Sequence, residues 1–511
     1  MTSSWETKPF TAVWFIGLCS LLLGCGIHVE ASHRVFRHLQ VHHNITATHQ
    51  PYRTGYHFQP AKHWINEPMI YKGIYHLLYQ YNPHGAVWGN IVWAHATSID
   101  LVNWCRPHRI QDTTQHYERT IKPSIESDIK GRWSGSTTIL PDGKPAILYT
   151  GIDPKKRQVQ NLAFPKNLSD LYLRERIKVP QNPWASDGQW RVIIGSKIDR
   201  LGKAIIYKSK DFFKWERVDH LLHSSKNTGM WEFGLATSVI GPTVKHVLKD
   251  IYVPDEGSVD DDSGLRYDYG KFYASKTFFD SSKNRRILWR WINESDSVTD
   301  DVKKGWSGVQ AIPRNIWLDK AGKQLVQWPV AEIEKLRKTP VELQGTQLNG
   351  GSVHEVTRVT ASQVDVEVPF NLSTLEKAEN LNLSGANPQI LCSQKGASIK
   401  GSVGPFGLLA LASKGLEEQT AIFFRVFKDK ERFVVLMCSD QSRYMELNVL
   451  QIDHSIVESF DGKGKVCITS RVYPELAIFD KTRLYVFNNG TKNISISKLS
   501  AWSMDKATIV N

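Results

Sequence analysis

The sequence predicts an all-β protein with two large domains. Short runs rich in Tyr, Trp, Ile and Val, separated by Gly, Asn and Asp turns, recur through the chain, a pattern typical of antiparallel strands. No long amphipathic helix interrupts them between residues 51 and 329. A chain of 511 residues with 41% hydrophobic residues is too long for one ordinary domain and apolar enough to bury sizeable cores.

The first half of the chain contains clear strand-like runs and an internal repeat. Ser98-Ile-Asp100-Leu-Val-Asn-Trp104 and Ser209-Lys-Asp211-Phe-Phe-Lys-Trp215 each follow a strand and share the pattern Ser-x-Asp, then Leu or Phe, then Trp. Recurrent units of this kind indicate propeller blades. Examples of the runs are Ile74–Tyr81, Ile91–His95, Pro145–Tyr149, Trp190–Ile194, Ala204–Tyr207, Phe272–Phe278 and Arg286–Ile292.

The second half is predicted to form a β-sandwich that follows a short helix. A polar-faced helical stretch is expected over 330–338, directly after Trp328-Pro329, at the end of the first domain. Beyond it the chain alternates again, with turn signals between the runs. Cys392 and Cys438 are the expected disulfide pair inside this half. The runs are Val364–Val368, Ala421–Val426, Phe433–Met437 and Leu484–Phe487.

The N-terminus predicts secretion. Lys8 precedes an apolar run from Phe10 to Gly24, with a small-residue cleavage site near Ala31, as in a signal peptide. The mature chain would then meet an oxidising compartment in which disulfides persist. Asn-x-Ser/Thr sequons occur at a density that fits a secreted glycoprotein. They are Asn44, Asn167, Asn293, Asn371, Asn382, Asn489 and Asn493.

The charge indicates an acidic partner or simply solubility. The formal net charge is +13 and the pI about 9.2. The chain offers no nucleic-acid motif, so an acidic extracellular polysaccharide such as pectin is the expected partner, and solubility alone is the alternative. No cluster of His, Cys and Asp has metal-ligand spacing, and no metal or organic cofactor is expected.

Three stretches place acids among aromatic and amide side chains, as glycoside hydrolysis requires. A retaining glycosidase needs two carboxyl groups about 5 Å apart, one to attack the anomeric carbon and one to protonate the leaving oxygen. The stretches are Trp64-Ile65-Asn66-Glu67-Pro68, Gly229-Met230-Trp231-Glu232-Phe233 and Tyr267-Asp268-Tyr269-Gly270-Lys271.

Several further motifs resemble the plant cell-wall invertases (β-fructofuranosidases) and fructan exohydrolases of glycoside hydrolase family 32. The resemblance implies a five-bladed β-propeller at 51–330, a linker helix at 331–345 and a β-sandwich at 346–511, after a signal peptide at 1–31 and a leader at 32–50. It also implies a cell-wall or apoplastic location. The motifs are Gly55-Tyr-His-Phe-Gln-Pro60, Tyr79-Gln-Tyr-Asn-Pro83, Trp88-Gly-Asn-Ile-Val-Trp93, Trp133-Ser-Gly-Ser136, Gly404-Pro-Phe-Gly-Leu408 and Asp453-His-Ser-Ile-Val-Glu-Ser459.

The resemblance assigns roles to individual residues. The acid/base glutamate of the family falls on Glu232, where a neighbouring Trp would raise the carboxyl pKa and suit a general acid. Asp268 and Lys271 match a pair near the glucosyl side, although their spacing alone would suggest a surface turn. The positions that match the fructosyl pocket are Trp64, Asn66, Gln80, Trp88, Trp133 and Ser134.

The chain departs from the family pattern at its nucleophile. The family carries Asp-Pro-Asn after Trp-x-Asn, whereas Asn66 here runs directly into Glu67, which is the only carboxylate near that place. The Arg-Asp-Pro motif is also absent between Gln181 and Gly188. We therefore expect sucrose or short fructans as substrates but impaired hydrolysis. The alternatives are a non-catalytic protein that binds sugars, wall components or an invertase inhibitor protein, and a mis-spliced product.

Overall fold

The computed structural model describes the chain from residue 50 to residue 509 with internal gaps. The signal-peptide and leader predictions, Asn44, Glu67, Glu232 and Asn382 lie outside the described residues. The described ranges are 50–59, 61–66, 69–105, 119–140, 142–178, 190–210, 214–226, 266, 268–322, 324–373, 375–381, 387–440 and 449–509.

Strands dominate both halves of the described chain, and the all-β prediction is confirmed. The short helices are the α-helices Val298–Lys304 and Pro388–Gln394 and the 3-10 helices Glu126–Asp128, Ala331–Leu336, Leu375–Lys377 and Phe479–Lys481. The strands of the first half are β1 (His63–Asn66), β2 (Met69–Tyr71), β3 (Ile74–Asn82), β4 (Val92–Ser98), β5 (Arg119–Ile121), β6 (Gly131–Ile139), β7 (Pro145–Ile152), β8 (Gln158–Pro165), β9 (Arg176–Lys178), β10 (Trp190–Ile198), β11 (Leu201–Ser209), β12 (Glu216–Lys226), β13 (Phe272–Asp280), β14 (Arg285–Ile292), β15 (Trp306–Ser307), β16 (Val309–Gln310), β17 (Arg314–Leu318) and β18 (Leu325–Pro329).

These strands form four sheets within the described residues of the first half. The sheets hold six strands (β15-β1-β3-β4-β5, with β2 on β3), four (β6 to β9), three (β10 to β12) and five (β13-β14-β17-β18, with β16 on β14). Every residue of β4 and all but the first of β3 are buried. Both faces of these strands are therefore covered, and the covered residues include polar ones such as His76, Gln80 and His95.

A parallel pairing links the end of the first half back to its beginning. Strand β15 pairs with β1 in the register His63↔Trp306 and Trp64↔Ser307. Because β15 lies in sequence between β14 and β16, which both belong to the five-stranded sheet, this pairing joins the last sheet to the first. Such closure covers a sheet edge that would otherwise expose unpaired backbone groups.

The repeated Ser-x-Asp motif forms a tight turn at the end of β4. The Ser98 hydroxyl accepts a hydrogen bond from the backbone N–H of Leu101 at 2.9 Å, and Asp100 Oδ1 accepts from that of Asn103 at 2.8 Å. Trp104, at the end of the motif, is 1% exposed in the core. The second copy begins with Ser209 at the end of β11, so both copies follow a strand as predicted.

The second half is built from two sheets that are antiparallel except for the parallel pairing of β23 with β25. One has seven strands (β19-β31-β21-β27-β28-β29, with β22 on β31) and the other six (β20-β30-β24-β25-β23, with β26 on β25). Residues from both sheets, among them Val364, Leu408 and Ile452, meet in one fully buried core, as in a β-sandwich. The strands are β19 (Val341–Leu348), β20 (Ser352–Glu355), β21 (Gln363–Glu367), β22 (Phe370–Asn371), β23 (Glu379–Asn380), β24 (Phe406–Ala412), β25 (Thr420–Asp429), β26 (Arg432–Asp440), β27 (Val449–Asp453), β28 (Ile456–Asp461), β29 (Val466–Arg471), β30 (Arg483–Asn488) and β31 (Ile494–Ser503).

The sandwich contains the predicted disulfide. Cys392, in the helix Pro388–Gln394, is bonded to Cys438 on β26. The helix begins at Asn387, whose side-chain oxygen accepts from the backbone N–H of Gln389 at 2.8 Å, the usual N-cap contact. The disulfide therefore fixes a capped helix to a strand of the sandwich.

The two halves are joined by buried charges. The Asp453 carboxylate accepts backbone hydrogen bonds from Gly55, Tyr56 and His57 at 2.6, 2.8 and 3.0 Å. The His57 ring lies between Asp453 (2.9 Å) and Glu458 (3.1 Å), and although burial lowers its pKa, these carboxylates raise it above the ordinary value. Two of the sequence motifs, at 55–60 and 453–459, are thus the two sides of one contact between domains.

Within the described ranges, no helix combines the length and the hydropathy that crossing a bilayer requires.

Candidate active site

Four tryptophans from separate segments of the first half form one cluster, which we call the tryptophan cluster. Trp64 on β1 lies against Trp291 on β14, with ring centroids 5.7 Å apart, and the two are 6% and 8% exposed. Trp133 on β6 packs against this pair. Trp88 lies 5.6 Å from Trp133 and is 53% exposed. An aromatic surface that is buried on one side and open on the other suits stacking against a sugar ring.

Polar contacts fix the strands that carry these rings. Gln80 on β3 is buried, and its Nε2 donates to Oγ of Ser134 on β6 at 3.0 Å. The indole N–H of Trp93 donates to the backbone carbonyl of Trp133 at 3.1 Å. On the opposite side, Lys276 Nζ on β13 donates to Oγ of Ser136 at 3.2 Å. The first, second and last sheets of this half therefore meet at the cluster.

A local irregularity in β6 presents Trp133 and Ser134. The register between β6 and β7 shifts between Arg132 and Gly135, as at a β-bulge, and bulges re-aim side chains next to functional sites. Gly135 is required there because an added Cβ would lie 2.3 Å from the carbonyl oxygen of Leu148. The Trp-Ser-Gly sequence thus combines a ring, a hydroxyl and the space that the neighbouring strand needs.

Strand β1 ends at Asn66, directly before the position at which the family resemblance expects the nucleophile. Asn66 pairs with Gln80 in the antiparallel register of β1 and β3, and Gln80 in turn contacts Ser134. Glu67 follows immediately in sequence. The backbone at Asn66 is therefore beside the polar edge of the tryptophan cluster.

The predicted site residues separate into three groups. Trp64, Gln80, Trp88, Trp133 and Ser134 come together in the cluster. Asp268 and Lys271 do not: they lie at the junction between the domains, and Lys271 is exposed, its backbone N–H donating to the carbonyl of Thr469 at 2.7 Å. The side chain of Asn66, together with Glu67 and Glu232, is outside what the structure describes.

Asp268 makes contacts within the protein with both carboxylate oxygens. Oδ2 accepts from Arg314 Nη1 at 3.0 Å and from the Thr469 hydroxyl at 2.7 Å, and Oδ1 accepts from the backbone N–H of Thr469 at 2.9 Å. Arg314 also binds Glu458, with 2.5 Å between Nη2 and Oε2. This arrangement gives Asp268 a structural contact that the Tyr267–Lys271 spacing does not reveal.

Three residues near the cluster were not among the predicted site residues: Trp291, Tyr273 and Lys276. Tyr273 and Trp291 are paired across β13 and β14, with ring centroids 6.1 Å apart. Both strands were recognised in the sequence, but the alternation that directs Tyr273 and Trp291 to the same face carries no chemical signature. A search for aromatic side chains on neighbouring strands would have found the pair.

An acidic group lies beside β15, close to Trp64 in the sheet. Glu294, Asp296 and Asp301 place carboxylate oxygens within 4.8 Å of one another. Lys304 Nζ contacts all three, at 3.3 Å from Glu294, 2.7 Å from Asp301 and in a short contact with Asp296. The lysine ammonium thus offsets part of the negative charge of these three carboxylates.

Comparison with known proteins shows the family to which both halves of the chain belong. The model for the glycosyl hydrolases family 32 N-terminal domain matches residues 57–329, and that for the family 32 C-terminal domain matches 332–503. The chain is 52% identical over 550 residues to a fructan 6-exohydrolase of Beta vulgaris, covering 91% of this chain and 89% of the relative. It is 50% identical over 580 residues to an insoluble β-fructofuranosidase isoenzyme of Arabidopsis thaliana, covering 96% and 98%.

A solved structure extends the comparison to the fold. The crystal structure of a fructan 1-exohydrolase IIa variant from Cichorium intybus, in complex with 1-kestose, matches with a TM-score of 0.81 and 44% identity, covering 90% of this chain and 99% of that chain. The architecture is accordingly the predicted five-bladed propeller followed by a β-sandwich. The chain belongs to glycosyl hydrolases family 32, the family of glycosidases that includes the plant β-fructofuranosidases.

Proposed function

We propose that this protein binds the fructosyl end of sucrose or short fructans at the tryptophan cluster and hydrolyses the fructosyl bond slowly, with retention. The observation that carries the proposal is the meeting of Trp64, Trp88, Trp133 and Trp291 with the Gln80–Ser134 contact at one place. The rings offer apolar faces, and the amide and hydroxyl offer hydrogen bonds to sugar hydroxyls. The names of the Beta, Arabidopsis and Cichorium relatives support fructosyl substrates.

The proposed chemistry is a double displacement. A carboxylate oxygen attacks the anomeric carbon of the fructosyl unit while Glu232 gives its proton to the departing glucosyl oxygen. Water then breaks the resulting ester, and Glu232 takes up a proton from that water. The family resemblance assigns the acid/base role to Glu232, and Glu67 is the one carboxylate that the sequence offers next to Asn66.

The expected impairment follows from the sequence around Asn66. The Asp-Pro-Asn tripeptide of the family is missing there, and loss of a nucleophile commonly costs several powers of ten in rate. Glu67 is one methylene longer than the aspartate it would replace, and a misplacement of about 1 Å can cost about a hundredfold. Binding of the sugar, which depends on the rings, should survive better than its hydrolysis.

We place this activity in the plant cell wall, with an acidic polysaccharide as partner. The net charge of +13 favours binding to polygalacturonate-like chains, and the cited Arabidopsis relative is named an insoluble isoenzyme. Elution from isolated walls by salt would support this partner, since exposed ionic contacts weaken as ionic strength rises. An invertase inhibitor protein is a second proposed partner.

Glucose release from sucrose tests the proposed function. The purified, secreted chain should release glucose at a low rate that the Glu232→Gln variant abolishes, while calorimetry with fructose and sucrose shows binding to both proteins. A rapid rate, with fructose esterified to Glu67 in a trapped mass spectrum, would contradict the impairment. If calorimetry shows no heat of binding and no glucose is released, the proposal is wrong.

A non-catalytic sugar-binding protein is the second candidate. It is favoured by the same observation, because the tryptophan cluster forms without the Asp-Pro-Asn segment. The two candidates differ in one result. A binding protein shows a heat of binding with sucrose in calorimetry but releases no glucose from it, and Glu232→Gln changes neither measurement.

A further inference from the structure

Glu294 connects the sandwich to the propeller beside the tryptophan cluster. Arg471 of the sandwich donates from Nη2 to Glu294 Oε2 at 2.8 Å, and the Tyr473 hydroxyl makes a short hydrogen bond to the same oxygen. The side chains of Arg471 and Glu294 are 0% and 5% exposed. Burial opposes ionisation of Glu294, but the charges of Arg471 and Lys304 hold its pKa below the ordinary value. The contact is therefore a buried ion pair between the domains.

The other oxygen of the Glu294 carboxylate binds the backbone of Gly308, which lies against Trp291 of the tryptophan cluster. Glu294 Oε1 accepts from the backbone N–H of Gly308 at 2.7 Å. Gly308 has a φ of +85°, and an added Cβ would lie 2.4 Å from Trp291 Nε1 and 3.1 Å from the carbonyl oxygen of Ile65. The position of Gly308 is thus tied to Trp291 and to the backbone next to Trp64.

A second contact fixes the residue before Gly308. Ser307, which pairs with Trp64 between β15 and β1, donates from its hydroxyl to Asp301 Oδ2 at 2.9 Å. Lys304 binds both Asp301 and Glu294. Residues 307 and 308 are therefore held by one group of charges, and Arg471 and Tyr473 enter that group from the sandwich.

We propose that Tyr473 and Arg471, acting through Glu294, are positioning residues for the tryptophan cluster, so that the sandwich sets the geometry of the sugar site. The side chains touch neither the rings nor the proposed substrate. They act because Gly308 cannot move without displacing Trp291 or the strand that carries Trp64. Buried cores respond to such shifts as units rather than absorbing them gradually.

This inference rests on the proposed sugar site, and it is tested by two measurements on the full chain. In the first, the chain is labelled with 5-fluorotryptophan and the fluorine resonances of Trp64 and Trp291 are assigned by Phe substitutions. Tyr473→Phe should shift both resonances. In the second, calorimetry with sucrose should show an affinity about fivefold lower or worse, the lower end of ordinary coupling between sites.

Thr469→Val is the matched control. Thr469 donates to Asp268 in the other buried contact between the domains, which includes none of residues 306–308, 64 or 291. It should lower stability without shifting the two resonances or the affinity. Arg471→Lys provides a second variant if Tyr473→Phe fails to fold, and it should have the same effects as Tyr473→Phe.

The outcomes separate the two claims. Shifted resonances in a chain that binds no sucrose would remove the proposed function and leave the positioning role. Normal sucrose binding with unchanged resonances in Tyr473→Phe, or equal effects of Thr469→Val, would overturn the inference, because the junction would then contribute stability alone.

Discussion

Gln80 Nε2 lies 3.0 Å from Oγ of Ser134, and this hydrogen bond joins the first and second sheets beside the tryptophan cluster. Gln80→Leu keeps the side-chain size but removes the donor. We expect it to weaken sucrose binding measurably in calorimetry and to lower stability by about 1 kcal/mol. Gln160→Leu is the matched control, because Gln160 donates to Thr150 at 2.9 Å on an exposed face. Equal loss of affinity in both variants would show that Gln80 has no particular role.

Trp88 is the ring of the cluster most open to solvent, at 53% exposed. Trp88→Ala should lower sugar affinity about tenfold, which is about 1.4 kcal/mol, with a loss of stability of about 1 kcal/mol or less. Calorimetry and thermal unfolding measure the two effects. Trp317, which is 45% exposed on β17, supplies the control. Unchanged affinity in Trp88→Ala would place the sugar elsewhere.

Arg314 is a fully buried cation at the domain junction. It binds Asp268 and Glu458, and despite burial its charge and that of His57 hold the pKa of Glu458 at about 2. Arg314→Met should cost about 3–5 kcal/mol in urea unfolding, since it leaves carboxylates buried without their partner. Arg157→Met is the control. Arg157 pairs with Asp153 while 69% exposed, and its loss should cost less than about 1 kcal/mol. Similar costs would contradict the buried ion pair.

Asp301 gives the protein a pH dependence that favours mildly acidic conditions. Burial, with the nearby charges of Glu294 and Asp296, raises its pKa from 3.8 to about 7, against the opposing effect of Lys304. The folded state therefore holds the proton more tightly than the unfolded chain. The stability associated with this group is fully present below pH 4 and is lost as the pH rises towards 7.

Asp301→Asn should flatten the fall in unfolding free energy between pH 4 and pH 7. The neighbouring Asp300 is the control, because hydrogen bonds from Ser297 and Lys303 lower its pKa from 3.8. Asp300→Asn should therefore lower the unfolding free energy by a constant amount between pH 4 and pH 7 and leave the slope there unchanged. Denaturant unfolding across this pH range measures both variants. A wild-type profile in Asp301→Asn would exclude this carboxyl as the cause.

The strands and three of the four rings of the tryptophan cluster were predictable, because their signals are local, recurrent or part of a family motif. The strand-forming residues of the run Ile74–Tyr81 and the Ser-x-Asp turn before Trp104 are signals carried by neighbouring residues. The segments that bring Trp64, Trp88 and Trp133 together match quoted motifs, so family resemblance could place them in one site. The Cys392–Cys438 pair was expected within one predicted domain, and Cys467, the third cysteine of that domain, is free and buried.

The contacts between domains were not predictable in the same way. The glucosyl-side role that the resemblance implies for Asp268 stays a prediction, but its contacts with Arg314 and Thr469, 46 and 201 residues away in sequence, had no signal in the sequence. Glu294 likewise meets Arg471 across 177 residues. Pairings at such separations depend on how the sandwich docks on the propeller, and no local pattern encodes that orientation.

Inserting Asp-Pro-Asn after Asn66 tests most directly the proposal that this chain binds the sugar but hydrolyses it slowly. Calorimetry and glucose release from sucrose are measured side by side for the natural chain and the insertion variant. We predict affinities within about threefold of each other and hydrolysis at least about a thousandfold faster in the variant. Equal rates, or no sugar binding by the natural chain, would contradict this explanation.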